Sequence, residues 1–144
     1  MSNYAYVATR ARSRRSRLLP AEAYNQLLNL EHAEIARYIQ DLEYRREIDR
    51  SGSTLSGADL IETALVDNLA KDVGDFLSFS KGKLRDILHV YAEKYRIENL
   101  KNIVRGINQN MDKQNLERLV CPINDSDKEL YNKLYDSKTV EDMI

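Results

Sequence analysis

Residues 60–77, LIETALVDNLAKDVGDFL, decide the fold class. Leu60, Ile61, Ala64, Leu65, Leu69, Val73, Phe76 and Leu77 recur at steps of three and four, the period of an amphipathic α-helix. Roughly 18 residues rising about 1.5 Å each predict a rod of about 27 Å. Leu60 and Ala64 add a second apolar edge, so the helix is expected to pack on more than one neighbour. Ser56 and Asp59 resemble a weakened capping box before it, Asp being shorter than the usual Glu.

Working outward, the same period continues in both directions. Upstream, residues 3–17 place Tyr4, Val7, Ala8 and Ala11 on one face, and residues 21–30 carry Ala23, Leu27, Leu28 and Leu30. Residues 32–48 carry Ile35, Ala36, Ile39, Leu42 and Ile48 and read as one helix. The stretch from Asp49 to Gly57, with Ser51, Gly52, Ser53 and Ser56, reads as a loop. Downstream, Ser80 is placed to cap a helix carrying Leu84, Ile87, Leu88, Tyr91 and Tyr95. Ile97, Leu100, Ile103, Val104 and Ile107 continue it with a phase shift near Arg96 that predicts a bend or short break. Residues 108–115 read as polar loop, and Leu116, Leu119 and Val120 as a short helix or turn before Pro122. Ser126 and Glu129 have capping-box spacing ahead of Leu130, Leu134 and Tyr135, and Ser137 or Thr139 offers one more start. No alternating strand pattern competes. The reading is all-α, with seven or eight helices.

Composition narrows the function classes. The chain has 144 residues, one domain's worth or a domain with a piece of another. A single cysteine, Cys121, excludes an internal disulfide, and two isolated histidines give no metal-ligand cluster, so no metal site is expected. No apolar run approaches the length of a membrane span. Net charge is −1, yet residues 1–20 hold five arginines and no acid, a local +5. Arg10 and Arg14 are four apart, and Arg14 and Arg17 three. Such like-charge spacings each cost an isolated helix a few tenths of a kcal/mol. Compensation is expected from acids of the same chain (Glu22, Glu31, Glu34, Asp41, Glu43, Glu47 and Asp49 are candidates), from an acidic protein partner, or from phosphate or lipid head groups. His89, three beyond Asp86, has no nucleophile at a motif spacing. No glycine-rich phosphate loop exists, so no catalytic or cofactor-binding residue is assigned. The nine tyrosines suit helix crossings and half-buried interfaces, with Tyr4 and Tyr6 beside the arginine segment.

The order of segments resembles one family. YAYVATRARSRRSRLLPAEAYNQLLNL (residues 4–30), IARYIQDLEYRREI (35–48), LIETALVDNLAKDVGDFLSF (60–79), YRIENLKNIVRG (95–106) and LVCPINDSDKEL (119–130) with KTVEDMI (138–144) follow one another as in the C subunit of archaeal A-type rotary ATPases, the equivalent of the d subunit of V-type ones. Asn68 and Leu69 fit the centre of the family's long helix, and Asn99, Lys101, Arg105 and Gly106 fit its Arg-Gly helix end. Cys121-Pro122-Ile123-Asn124 departs from it, since relatives usually have Pro followed by Gly.

The resemblance implies a longer protein of three similar helical parts arranged as a funnel. Residues 1–107 would be the first helical repeat and 108–144 the start of a second, truncated one. It implies a non-catalytic subunit, without cofactor, on the cytoplasmic face of the membrane as a peripheral protein. Its partners would be the central-stalk subunits and the proteolipid rotor ring, and its task the coupling of ATP synthesis or hydrolysis to ion transport. Arg10, Arg14, Arg17, Tyr4 and Tyr6 are then candidate subunit-interface residues. Faces made for missing parts should be exposed and apolar, with Leu60, Ala64, Leu100, Val104, Met143 and Ile144 as candidates. The competing reading is a helical nucleic-acid or regulatory binding module using the arginine segment, marked by strong salt dependence.

Overall fold

A computed structural model describes residues 3–137, 139 and 142. Among these residues there are eight α-helices and no strand: α1 Tyr4–Arg15, α2 Ala21–Leu27, α3 His32–Gln40, α4 Arg45–Ser51, α5 Gly57–Phe79, α6 Lys83–Asn108, α7 Lys113–Arg118 and α8 Asp125–Tyr135. The chain divides into two compact units, one spanning Asn3–Leu69 and the other running from Ala70 onward. Helix α5 contributes to both.

In the first unit, a reciprocal capping box starts α3. Glu31 and Glu34 each accept from the other's backbone N–H. The expected single helix over 32–48 is two helices, broken at residues 41–44. The reason lies in Ile39 and Ile48. Nine residues apart, they would stand roughly 180° apart on a straight helix. The break turns both into one core with Ala36, Leu60 and Ala64. A hydrogen bond from Gln40 Nε2 to Asp49 Oδ1 (2.6 Å) ties the two arms of the bend. Helix α4 also extends through Ser51, so the expected loop shrinks to residues 52–56.

In the second unit, α6 is continuous for 26 residues, without the break expected near Arg96. The phase shift arises because its two ends present different faces. Ile103 and Ile107 join Leu116, Val120, Tyr131 and Tyr135 in a core made with α7 and α8, while Ile87, Val90 and Ile97 face solvent. Ser80 does not cap α6. It is buried at the end of α5, where its hydroxyl donates to the Phe76 carbonyl (2.5 Å). The cap position belongs to Gly82, whose φ of 60° and ψ of −148° favour glycine.

Asp112 caps α7 by accepting from the Asn115 N–H (2.8 Å), so that helix begins inside the expected loop. Helix α8 starts ahead of the expected Ser126 box, because Asn124 accepts from the Asp127 N–H (2.9 Å). Asp127 is itself buried, with Oδ1 3.3 Å from Arg96 Nε. The helix expected to start at Ser137 or Thr139 falls mostly outside the described residues; the Thr139 N–H donates to Asp142 Oδ2 (3.0 Å), and its hydroxyl accepts from the Asp142 N–H (3.2 Å).

The expected exposed face is elsewhere. Leu60 and Ala64 are buried, Leu100 packs against the second core, and Val104 is half-buried. Met143 and Ile144 lie outside the described residues. Among the described residues, no helix is long and apolar enough to cross a membrane.

Candidate functional site

Helix α1 carries four of the five clustered arginines and no acid. Its charge placement is partly self-stabilising. Arg12, Arg14 and Arg15 sit in the last turn, where the negative end of the helix dipole favours cations. Only a narrow edge is covered: Val7 is buried, and Asn3 and Arg14, four before it and seven after it, are half-buried. Tyr4 and Tyr6 are 52% and 53% exposed, and Arg10 is exposed as well.

Helical geometry sorts the candidates. Tyr6, Arg10 and Arg14 follow one another at steps of four and share one side. Tyr4, two residues before Tyr6, stands on roughly the opposite side. The five residues therefore do not form a single patch. Arg17 is not helical. It lies in the turn after Arg15, where its N–H donates to the Arg14 carbonyl (3.0 Å). From there its Nη1 reaches Glu43 Oε2 at 2.9 Å and Oε1 at 3.1 Å. Glu43 is one of the acids expected to compensate the arginines. Both side chains are about half exposed, so solvent screens the pair and it contributes roughly 0–1 kcal/mol.

Glu43 also borders an open depression of about 750 Å³ lined by Leu42, Arg45, Arg46, Asp49 and Arg50. Its charges are partly matched. Arg45 lies 3.7 Å from Asp41, and Arg50 pairs with Asp67. This surface combines both signs of charge with a larger apolar area, the mixture found where proteins meet. From the sequence, Glu43, Asp41 and Asp49 stand only as possible partners of the arginines. The bend at residues 41–44, which assembles the depression, leaves no signal there beyond the opposed phases of Ile39 and Ile48.

The second unit has an open groove of about 410 Å³, where His89 meets Lys71, Asp75, Ser78, Arg85 and Asn124. The hydroxyl of Ser78 donates to the Asp75 carbonyl of its own helix (2.7 Å). Its proton is thus committed to the backbone, and the groove offers no nucleophile–base pair among the described residues.

The positions that carry the family resemblance have structural roles. Asn99 is buried and binds the Cys121 backbone. Gly106 is buried where any Cβ would run into Leu116. Ile123, at the departure from the family pattern, sets its carbonyl 2.9 Å from where a Cβ on Gly74 would stand.

Comparisons with known proteins agree with this arrangement of segments. The family model described as ATP synthase (C/AC39) subunit matches residues 7–144. The A-type ATP synthase C subunit of Haloferax volcanii is 36% identical over 143 residues, covering 99% of this chain and 41% of that protein. The corresponding protein of Methanosarcina mazei is 42% identical over 105 residues, 73% of this chain and 29% of its own length. That of Archaeoglobus fulgidus is 33% identical over 141 residues, 98% and 41% respectively. The chain thus spans about two-fifths or less of these relatives. No solved structure matches it. With the family model covering all but the first six residues, the chain belongs to the ATP synthase C/AC39 subunit family.

Proposed function

We propose that the chain is part of a structural coupling subunit of a rotary A/V-type ATPase, linking the central stalk to the membrane rotor ring during ion-driven ATP synthesis or ATP-driven ion transport. In this reading it is non-catalytic and binds no nucleotide. It works peripherally at the cytoplasmic face of the membrane. Residues 1–107 are the first helical repeat and 108–144 open the second, in a three-part helical funnel. Torque passes through such a subunit by contact, so it needs broad docking surfaces rather than a pocket.

The observation that carries the site assignment is α1, which leaves Tyr4, Tyr6 and Arg10 exposed while only Val7 is buried. We assign α1, with Arg14 and with Arg17 at the adjoining turn, as a subunit contact. The test is co-elution of the folded chain with purified central-stalk subunits at low and moderate salt. Co-elution that weakens on changing Arg10, Arg14 and Arg17 to Glu, with helicity retained, supports the assignment. Co-elution indifferent to these changes removes the arginines from the contact, and no association in either salt condition argues against a stalk contact by this chain.

A further inference from the structure

The groove of the second unit has no part in the coupling role. Lys71 comes to it from α5, Arg85 and His89 from α6, and Asn124 from the segment ahead of α8. Arg85 and His89 are four apart and share one side of their helix. The apolar part of the lining is Leu77, which is buried, and Ile123, which is half-buried. Gly74 allows the groove to close at this end, because without a side chain there the Ile123 carbonyl can lie against α5. The open space is about 410 Å³, within the range of small-molecule sites.

The donors of this groove are unspent. Among the described residues, Lys71, Arg85 and His89 make no hydrogen bond or ion pair. Asn124 is half committed: its Oδ1 accepts from the Asp127 N–H (2.9 Å), which leaves Nδ2 as a donor. The acids nearby are mostly engaged. Asp75, the one acid in the lining, has an interaction of its own, as does Asp72 beside Lys71. Asp125 lies 3.1 Å from Lys128, and Asp127 3.3 Å from Arg96. Asp86 stands roughly 100° around α6 from Arg85 and is not part of the lining. Asp125 and Asp127 sit in the first turn of α8 and offset any pull from that helix end, so the site rests on side chains.

We propose that this groove binds a small soluble phosphomonoester, its phosphate oxygens accepting from Lys71, Arg85, His89 and the Asn124 amide, and its organic body lying against Leu77 and Ile123. The number and origin of the donors select this ligand. A phosphate monoester ends in three strong acceptor oxygens, which donors arriving from three separate elements can share. A carboxylate offers two oxygens in one plane and leaves donors unused. The Arg85 guanidinium can take two phosphate oxygens with its fork, and His89 has an N–H to donate in either protonation state. The site binds without reacting, because the Ser78 proton is held by the Asp75 carbonyl. The inference goes beyond the coupling role and does not depend on it.

The test titrates the isotope-labelled full chain with phenyl phosphate and, separately, with benzoate at fixed ionic strength, following NMR shifts of the Asn124 side-chain amide and the His89 ring. A fragment-sized ligand in an open groove should bind phenyl phosphate with a dissociation constant of about 0.1–1 mM, and benzoate about fivefold or more weakly. Arg85→Ala and Lys71→Ala should each weaken phenyl phosphate about fivefold or more. Lys101→Ala removes an equal charge from α6 outside the groove and should change binding by less than about twofold. Circular dichroism checks that each variant keeps its helicity. Equal binding of the two ligands, an equal loss from Lys101→Ala, or no shift at Asn124 and His89 up to about 10 mM ligand overturns the proposal. Binding of vesicles that carry phosphatidic acid, with none of phenyl phosphate, overturns it as well, because it gives the groove to a lipid head group.

Discussion

Asn99 grips the backbone of Cys121 with both ends of its side-chain amide: Nδ2 donates to the carbonyl at 2.8 Å and Oδ1 accepts from the N–H at 3.2 Å. One helical side chain thus satisfies both polar groups of a residue in a segment without regular structure. One turn further along, Asn102 Nδ2 donates to the Leu119 carbonyl (3.0 Å) and extends the grip. This fixes the chain between α7 and α8 against α6, so that Tyr131 can close the core.

The first prediction follows from that grip. Asn99→Ala removes three hydrogen bonds, two to the Cys121 backbone and a longer one to the Tyr131 hydroxyl (3.4 Å), and leaves partly buried backbone groups unpaired, at a cost of about 2–3 kcal/mol. Asn99→Asp keeps the acceptor but sets a carboxylate against the Cys121 carbonyl, and should cost at least as much. Urea unfolding measures both. A loss of a few tenths of a kcal/mol for either variant would mean that water replaces the grip at little cost.

Gly106 and Leu116 give the second. A Cβ on Gly106 would overlap the Leu116 side chain and come 3.3 Å from Met111 Sδ. Alanine gains about 1 kcal/mol in helix propensity over glycine. Overpacking a core typically costs about 1–3 kcal/mol. Leu116 is 2% exposed and has nowhere to swing, so we expect Gly106→Ala to destabilise by about 1–2 kcal/mol net. Combined with Leu116→Ala, the same change should become neutral or stabilising, a non-additivity that a double-mutant cycle in urea would read directly. Simple addition of the two costs would remove the steric explanation.

How far these features are legible in the sequence depends on what a linear pattern can encode. The long stripe of α5 is plain because a 3.6-residue period over six turns has no competing reading. Residues 32–48 pass for one helix because Ile39 and Ile48 look like members of a single stripe until their opposed phases are set against a single core. The shift near Arg96 is real, but it marks a continuous helix with one apolar face in the core and another exposed. The exposed seam through Ile87, Val90 and Ile97 is hidden by the neighbouring Leu84 and Leu88, which read as the same stripe. Arg17 and Glu43 each stand out as charged residues needing partners, yet their pairing depends on the bend at residues 41–44. Asn99 enters only through the family pattern, since an asparagine within a helix does not announce a backbone 22 residues ahead.

The third prediction concerns alkaline pH. Burial pushes the Tyr135 phenol up from its ordinary value near 10 to about 12, with Glu117 and Tyr131 adding to the shift. Burial raises Tyr131 as well, against the opposing hydrogen bond from Asn99. In both, the folded state favours the neutral phenol. Above pH 10 the unfolded chain releases protons that the folded chain keeps, so stability is full below that pH and falls as pH rises toward about 12. Unfolding midpoints taken from neutral pH to about 11 should decline at the alkaline end. Tyr135→Phe should flatten that decline. An unchanged slope in the variant would assign it to other groups.

The last prediction separates fold from contact at Arg17. Its pair with Glu43 is half exposed on both sides and its salt-bridge geometry is open to solvent. Arg17→Glu should therefore change stability by no more than about 1 kcal/mol. The same substitution reverses one charge of the surface that we assign to subunit contact. If α1 and its following turn meet an acidic partner surface, Arg17→Glu should reduce co-elution with the central-stalk subunits, most strongly at low salt where the Debye length is about 30 Å at 0.01 M. Glu43→Lys is the informative companion, because it breaks the same internal pair while adding positive charge. Binding reduced by Arg17→Glu but kept or strengthened by Glu43→Lys would locate the effect in the partner's field. Equal losses from both would instead show that the Arg17–Glu43 pair holds the local conformation on which the contact depends.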